Sequence, residues 1–392
     1  MYNTEQIEKL ASSLVSFISS SKENLFLENV AITQDTDEAI SFDYSFTLSY
    51  LEKYLENNRS LLSKKLKPKG RVFVILSYNE PIIMSVVPIL NALVAGNSVT
   101  VKPSKKCHKL FETIWIQSGI KKEFDLNLEV VNLSQNSDVD DYIKKSECVY
   151  FFGSHAVAKE IYKICADNFV EFIPEIETAD CKVVKREKFD NAFIKKDSIE
   201  TLKSSFTHAG QICERICGVF VAEDMFADYS RELMEAYNII SKDYHSSLIR
   251  KDFVFNQKYL ERISQDIQES GATLIAGEIG KTPIILLDPN IECPMVKNGY
   301  FYPMLWVSKF KDLDSLISTL NSRTYFLGLH ISTDSSSFRD TLVEKTNFTR
   351  YTIGDAHDQV GDTEGWGGRW PSGVGGNKSW LEHFTVEYAV VK

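Results

Sequence analysis

The chain predicts an α/β fold with mostly parallel sheet, and three observations predict it. From residue 71 onward, short apolar strand-like runs alternate with helical stretches. Such βαβα alternation buries a parallel sheet beneath helices on both faces, with right-handed crossovers. The 392 residues are 43% hydrophobic and 25% charged, which is ordinary globular usage, and at ~100–200 residues per domain they hold two domains.

Residues 1–67 read as an amphipathic helical region, with Leu10, Leu14, Phe17 and Ile18 at near-helical spacing and no motif. A first α/β unit follows over 68–177. Arg71–Ser77 is a buried-strand run, and Ile82–Ala95 an apolar helix opened by Pro81. Strands are then expected at 98–101, 128–133, 148–152 and 170–173, with helices at 107–118, 138–145 and 155–167 between them. A second α/β unit spans 178–360. Its expected helices are 198–209, 224–242, 256–269, 312–321 and 335–345, and its strands 216–222, 272–275, 282–287, 304–310 and 326–332. The remainder, 361–392, holds a Gly- and Trp-rich stretch, Gly361–Gly376, and an alternating segment, His383–Val391. The former reads as a structured loop because Trp366, Trp370 and Pro371 would be costly to expose. The latter reads as a terminal strand suited to pairing across a homodimer or homotetramer interface.

Bulk properties exclude several function classes. A formal net charge of -10 disfavours nucleic acid or an anionic membrane as partner. No uninterrupted apolar stretch reaches the ~18 residues of a membrane span, and Met1–Glu8 lacks the start of a secretory signal. Seven cysteines at irregular spacing (107, 148, 165, 181, 213, 217 and 293) fit free thiols in a reducing, cytoplasmic compartment. No Cys-x-x-Cys pair or zinc-type His spacing accompanies them, so no metal site is expected.

Five separated segments carry a family resemblance. They are Tyr78-Asn79-Glu80-Pro81, with Val101-Lys102-Pro103-Ser104 beyond the next helix; Phe152-Gly153-Ser154; Pro174-Glu175-Ile176; Ala209-Gly210-Gln211-Ile212-Cys213; and Gly367-Gly368 with Ser372-Gly373-Val374-Gly375. Two weaker matches are Phe301 with Pro303, and Tyr325-Phe326-Leu327-Gly328. In this order, over roughly residues 70–390, the set resembles the aldehyde dehydrogenase superfamily. The resemblance implies a Rossmann-like cofactor domain, an α/β catalytic domain, a short oligomerisation element, and NAD or NADP as cofactor.

The resemblance also implies roles, each beside a plainer reading. Cys213 matches the nucleophile that forms a thiohemiacetal and then a thioester; the plain alternative is a core cysteine. Cys217, four residues on, would share a face with it if the stretch were helical, with packing or redox as its expected role. Asn79 matches the oxyanion donor, acting with the Cys213 N–H; alone it reads as a turn asparagine. Glu175 matches the general base for thioester hydrolysis, against a solvated Glu after a strand. The family's paired glycines after this Glu are Glu177-Thr178 here.

Gly153 and Ser154 match the pyrophosphate contact, and Ser154 is equally a helix N-cap. Lys102 matches the lysine that reaches the adenine ribose, with Ser104 in the same segment. Where NAD-using members carry a Glu, this chain has Lys105 and then Lys106, which points to NADP; a solvated lysine pair is the plain alternative. Phe301 matches the aromatic beside the nicotinamide ribose, or a core aromatic. A family Glu nearby is replaced by Gly299. Trp366, Trp370 and His383 are candidates for an apolar tunnel, with ordinary packing preferred for His383.

The function implied is NAD(P)-dependent oxidation of an aldehyde to a carboxylic acid. One alternative is NADPH-dependent reduction of an acyl-CoA or other acyl thioester to an aldehyde. The other is a catalytically inactive binding protein on the same fold.

Overall fold

A computed structural model describes residues 2–133, 136–176, 178–187, 190–242, 248–250, 253–354, 367–373 and 379–389. They fall into two compact units. The first runs to Ile176 and takes back residues 379–389; the second runs from 178 to 354 and includes 367–373.

The first unit opens with four helices, Thr4–Ser20, Lys22–Thr33, Asp37–Glu52 and Tyr54–Leu62. Its strands are β1 (Leu66–Pro68), β2 (Arg71–Ile75), β3 (Ser98–Lys102), β4 (Leu128–Val130), β5 (Cys148–Gly153) and β6 (Glu171–Ile176). The last five form a parallel sheet in the order β4-β3-β2-β5-β6. The chain builds outward from β2 to β4, then returns to the other side of β2. The switch point therefore lies between β2 and β5, where the crevice beyond the carboxyl ends of parallel strands takes ligands.

The second unit carries β7 (Cys181–Lys185), β8 (Gly218–Ala222), β9 (Thr273–Ala276), β10 (Ile284–Leu287), β11 (Met304–Phe310), β12 (Leu329–Thr333) and β13 (Tyr351–Ile353). They run β13-β12-β7-β8-β11-β10-β9, parallel except for the last pair. Alternate residues explain the double cover. Val183, Phe220, Trp306 and Ile284 enter one apolar cluster, while Val184, Val219, Val221, Leu305 and Ile285 enter another. Successive side chains of a strand point to opposite faces, so a continuous apolar run needs two covering layers.

Several expectations are corrected. The helix expected over 107–118 is a short helix, His108–Glu112, that widens into a π-helical turn over Thr113–Gln117. The helix expected at 198–209 begins at Asn191, where Asp190 caps it, and ends at Phe206. β7 was not foreseen. The terminal strand shortens to β14 (Thr385–Glu387) and pairs antiparallel with β1 of the same chain. Residues 211–217 are not helical, so no helix face joins Cys213 to Cys217. Glu177, Trp366, Val374 and Gly375, and with them most of the Gly361–Gly376 loop, lie outside the described residues.

Candidate active site

The candidates of the first unit gather along the carboxyl edge of its parallel sheet. Asn79 follows β2, Lys102 ends β3 and Ser104 and Lys105 follow it, Gly153 and Ser154 end β5, and Glu175 is the second-to-last residue of β6.

Asn79 is 8% exposed, and its Oδ1 accepts from the Ser77 hydroxyl at 2.6 Å. With the oxygen engaged, the residue offers its amide N–H groups. Glu80 next to it adopts left-handed backbone (φ 48°, ψ 57°) and turns the chain into the helix Pro81–Val94, all of whose residues are buried. A buried carboxylate caps that helix from outside: Asp43, on the helix Asp37–Glu52, accepts from the N–H groups of Ile82 (3.1 Å) and Ile83 (2.8 Å) and from Asn29 Nδ2 (2.7 Å). Burial, and next the charge of Glu80, raise the Asp43 carboxyl to about 7. Asp43 was missed in the sequence, although a polar residue on the buried stripe Ile40-Asp43-Tyr44-Thr47 is a readable signal.

Glu175 sits opposite Phe152 in the β5–β6 register and is buried. At 6% exposure it is no solvated side chain, and burial pushes its carboxyl well above the usual range. Ser154 caps the helix His155–Asp167, its hydroxyl accepting from Val157 N–H at 3.4 Å. The first turn of any helix presents N–H groups outside the helical ladder, and this one opens at the switch point beside a residue without a side chain, a setting that fits a pyrophosphate. Lys102 is half-buried, its ammonium pKa lowered by burial and then by the charge of Lys105, so an anion beside it would be favoured. Lys105 is exposed, and the Lys106 ammonium lies 4.4 Å over the Tyr78 ring.

The candidates of the second unit lie at the amino edge of its sheet, in the segments that lead into β7, β8, β11 and β12. Three consecutive residues, His208, Ala209 and Gly210, have φ of 51°, 52° and 72°. Left-handed backbone costs non-glycine residues roughly 1–2 kcal/mol each, so the turn stores strain just before Gln211-Ile212-Cys213. A Cβ on Gly210 would stand 2.3 Å from the carbonyl carbon of Tyr302, which only glycine permits. The strained segment is pinned from several sides. The Thr178 hydroxyl donates to the Cys213 carbonyl. Buried Arg215 donates to the carbonyls of Met304 (3.0 Å), Ser205 (3.5 Å) and Tyr300. Glu214 pairs with Arg350 at 3.5 Å, and Cys217 N–H donates to Asp180 O at 2.8 Å.

The seven thiols separate cleanly. Cys213 is partly exposed and the other six are buried. Burial pushes Cys107, Cys148, Cys165 and Cys181 up to about 12 and also raises Cys217 and Cys293. The buried Cys217 thiol has two carbonyls within donating distance, Thr178 O (3.6 Å) and Arg215 O (3.7 Å).

Phe301 is half-buried and its N–H donates to the Tyr259 hydroxyl at 2.8 Å. Gly299 (φ 68°) has no room for the family's Glu: a Cβ there would meet Thr178 O at 2.2 Å. The close approach of these two segments is thus made with the glycine on the 299 side and a threonine on the other. Asp180 accepts from the N–H groups of Leu327 (2.7 Å) and Gly328 (2.9 Å), and the Ser372 hydroxyl accepts from Phe326 N–H at 3.0 Å. The described part of the Gly-rich loop therefore packs on the Tyr325–Gly328 turn, with Trp370 half-exposed. His383 belongs to the first unit and packs 5.9 Å from the Tyr150 ring, as preferred from the sequence.

Fold and candidate residues together define a two-unit α/β protein with a switch point at one parallel sheet and a strained cysteine turn at the edge of another. The model of the aldehyde dehydrogenase family matches residues 31–392, and the chain belongs to that family. It is 24% identical over 309 residues to the 4,4'-diapolycopene aldehyde oxidase of a Methylomonas species, a match covering 75% of this chain and 56% of that one. It is 22% identical to the 4,4'-diaponeurosporen-aldehyde dehydrogenase of Staphylococcus aureus, covering 90% and 80%. Among solved structures, a Mycobacterium tuberculosis aldehyde dehydrogenase complexed with NAD+ superposes with a TM-score of 0.82 at 16% identity, covering 97% of this chain and 84% of that one. The chain thus spans little more than half the length of the first of these relatives and most of the others.

Proposed function

We propose that the chain oxidises an aldehyde to a carboxylic acid with NAD or NADP, through a thioester on Cys213. The observation that carries this is the contrast among the thiols: one partly exposed cysteine on a pinned, strained turn, and six buried ones. The thiolate of Cys213 adds to the aldehyde carbon, and the carbonyl π pair moves onto oxygen. The Asn79 amide, with the Cys213 N–H, stabilises that oxyanion, each such donor being worth about 2.7–4 kcal/mol. NAD or NADP, when bound, would supply the hydride acceptor that conversion of the Cys213 adduct to a thioester requires. Glu175 then takes a proton from water, the hydroxide adds to the thioester carbon, and the acid leaves with Cys213 restored. Gly153, Ser154, Lys102, Ser104 and Phe301 would hold the cofactor, and Lys105 would favour the 2′-phosphate of NADP.

A buried carboxylate at 175 argues against the reverse use as an acyl-thioester reductase, because a hydrolytic base would discard the acyl-enzyme. The test is a panel of aldehydes of graded length with either cofactor, and acyl-CoAs with NADPH, using Cys213→Ala as control. Aldehyde turnover should appear in the wild type and be abolished in the variant. Turnover of acyl-CoA alone would select the reductase, and none with any substrate would select a binding protein.

A further inference from the structure

We propose that Thr178 is a positioning residue for the nucleophile: its hydroxyl, by donating to the Cys213 carbonyl, fixes the peptide that carries the reactive sulfur. The inference rests on the reading of Cys213 as the nucleophile.

Residues 211–217 belong to no helix or strand, so their peptide groups are held by individual hydrogen bonds rather than by a continuous ladder. The segment is entered through three left-handed residues, two of them not glycine, whose strain any relaxation would relieve. Thr178 supplies a side-chain donor that holds the Cys213 peptide directly. Thr178 is itself held: it is 4% exposed, its carbonyl accepts from the Cys217 thiol at 3.6 Å, and Gly299 packs against that carbonyl so closely that a Cβ would lie 2.2 Å from it. It leads into β7, whose first residue Cys181 pairs in register with Gly218 of β8, so both ends of the hydrogen bond hang from neighbouring strands. A glycine at 178 would keep the close backbone approach and lose the hydroxyl. The threonine keeps both because the glycine is on the 299 side.

The test compares Thr178→Val, which removes the hydroxyl and keeps the branched shape, with Thr178→Ser, which keeps the hydroxyl. Two readouts are taken on the full chain. One is kcat and KM with an aldehyde that the wild type turns over. The other is the rate of Cys213 alkylation by iodoacetamide between about pH 6 and 9, followed by mass on the peptide containing it. Misplacing a reacting atom by about 1 Å can cost about a hundredfold. The Val variant should lose about tenfold or more in kcat, with KM within about threefold and an altered alkylation profile. The Ser variant should stay within about twofold of wild type in all three. A Val variant matching wild type in both readouts overturns the proposal, as does a Ser variant as impaired as Val. Circular dichroism checks folding; if Val does not fold, Thr178→Ala takes its place under the same criteria. Cys213→Ala separates the two layers. If it retains turnover, the nucleophile reading fails, while the alkylation contrast between Val and Ser still reports on the hydroxyl.

Discussion

Glu175 shows how burial converts an ordinary carboxylate into a candidate base. Its proton is held more tightly in the folded chain than in the unfolded one. The sign of the linkage follows: this group contributes stability in acid, which is lost as pH rises from the usual carboxylate range through its raised folded value. Turnover limited by thioester hydrolysis should run the other way and rise with pH over the window in which Glu175 gives up its proton. Glu175→Gln removes both effects. It should cut steady-state turnover by about 10²–10⁴-fold and trap an acyl adduct on Cys213 visible by intact mass, while melting at least as high as wild type near pH 8. Full turnover in the Gln variant would mean that another group activates the water. The proposed residues Asn79, Glu175 and Cys213 are named by short ordered motifs in the sequence. Their supports are not. Apart from Ser77, two residues from Asn79, the supports Thr178, Asp180 and Arg215 act across gaps of up to 148 residues, and no local pattern marks such partners.

At the scale of elements, strands read as continuous apolar runs were placed well: β11 falls on the expected 304–310 because MLWVSKF is apolar nearly throughout. β7 escaped because its five residues, Cys-Lys-Val-Val-Lys, begin and end on polar or weakly apolar positions; one of them, Lys182, is buried with its ammonium paired to Asp197 at 2.5 Å and donating to the Thr201 hydroxyl at 3.1 Å. The N-terminal helices carried no motif, yet one of them closes the helix that follows Asn79. Asp43→Ala would leave the Ile82 and Ile83 N–H groups without their buried acceptor. A lost cap and an unpaired buried donor together cost on the order of 2–4 kcal/mol. Differential scanning calorimetry should show a fall in Tm of about 5 °C or more. Because burial and Glu80 raise the Asp43 carboxyl to about 7, its stabilising protonation is complete below the usual carboxylate range and lost as pH rises through about 7. Asp43→Asn, which cannot ionise, should flatten part of the Tm decline between about pH 5 and 8. An identical decline in both proteins would show that Asp43 does not titrate there.

At the scale of the whole molecule, the net charge of -10 opposes any polyanionic ligand, and NADP carries one phosphate more than NAD. Three lysines, 102, 105 and 106, nonetheless stand together at the end of β3, on the sheet edge where Ser154 opens its helix. At physiological ionic strength the screening length is about 8 Å, so acidic groups spread over the surface are largely screened there, while a charge in direct contact is not. The local lysines should therefore decide the cofactor against the sign of the whole protein. Lys106 is engaged with the Tyr78 ring and Lys102 is half-buried, which leaves Lys105 as the exposed charge for a 2′-phosphate. A ligand at one hundred times its Kd stabilises the folded state by about 2.7 kcal/mol. At equal concentration near 0.15 M salt, NADP should then raise Tm more than NAD, and kcat/KM should follow the same order. Lys105→Glu replaces a charge-assisted contact with repulsion and should lower the NADP/NAD ratio of kcat/KM by about tenfold or more. If the variant keeps the wild-type ratio, or if wild type melts higher with NAD, the lysine pair is solvated surface and the 2′-phosphate is not read at this turn.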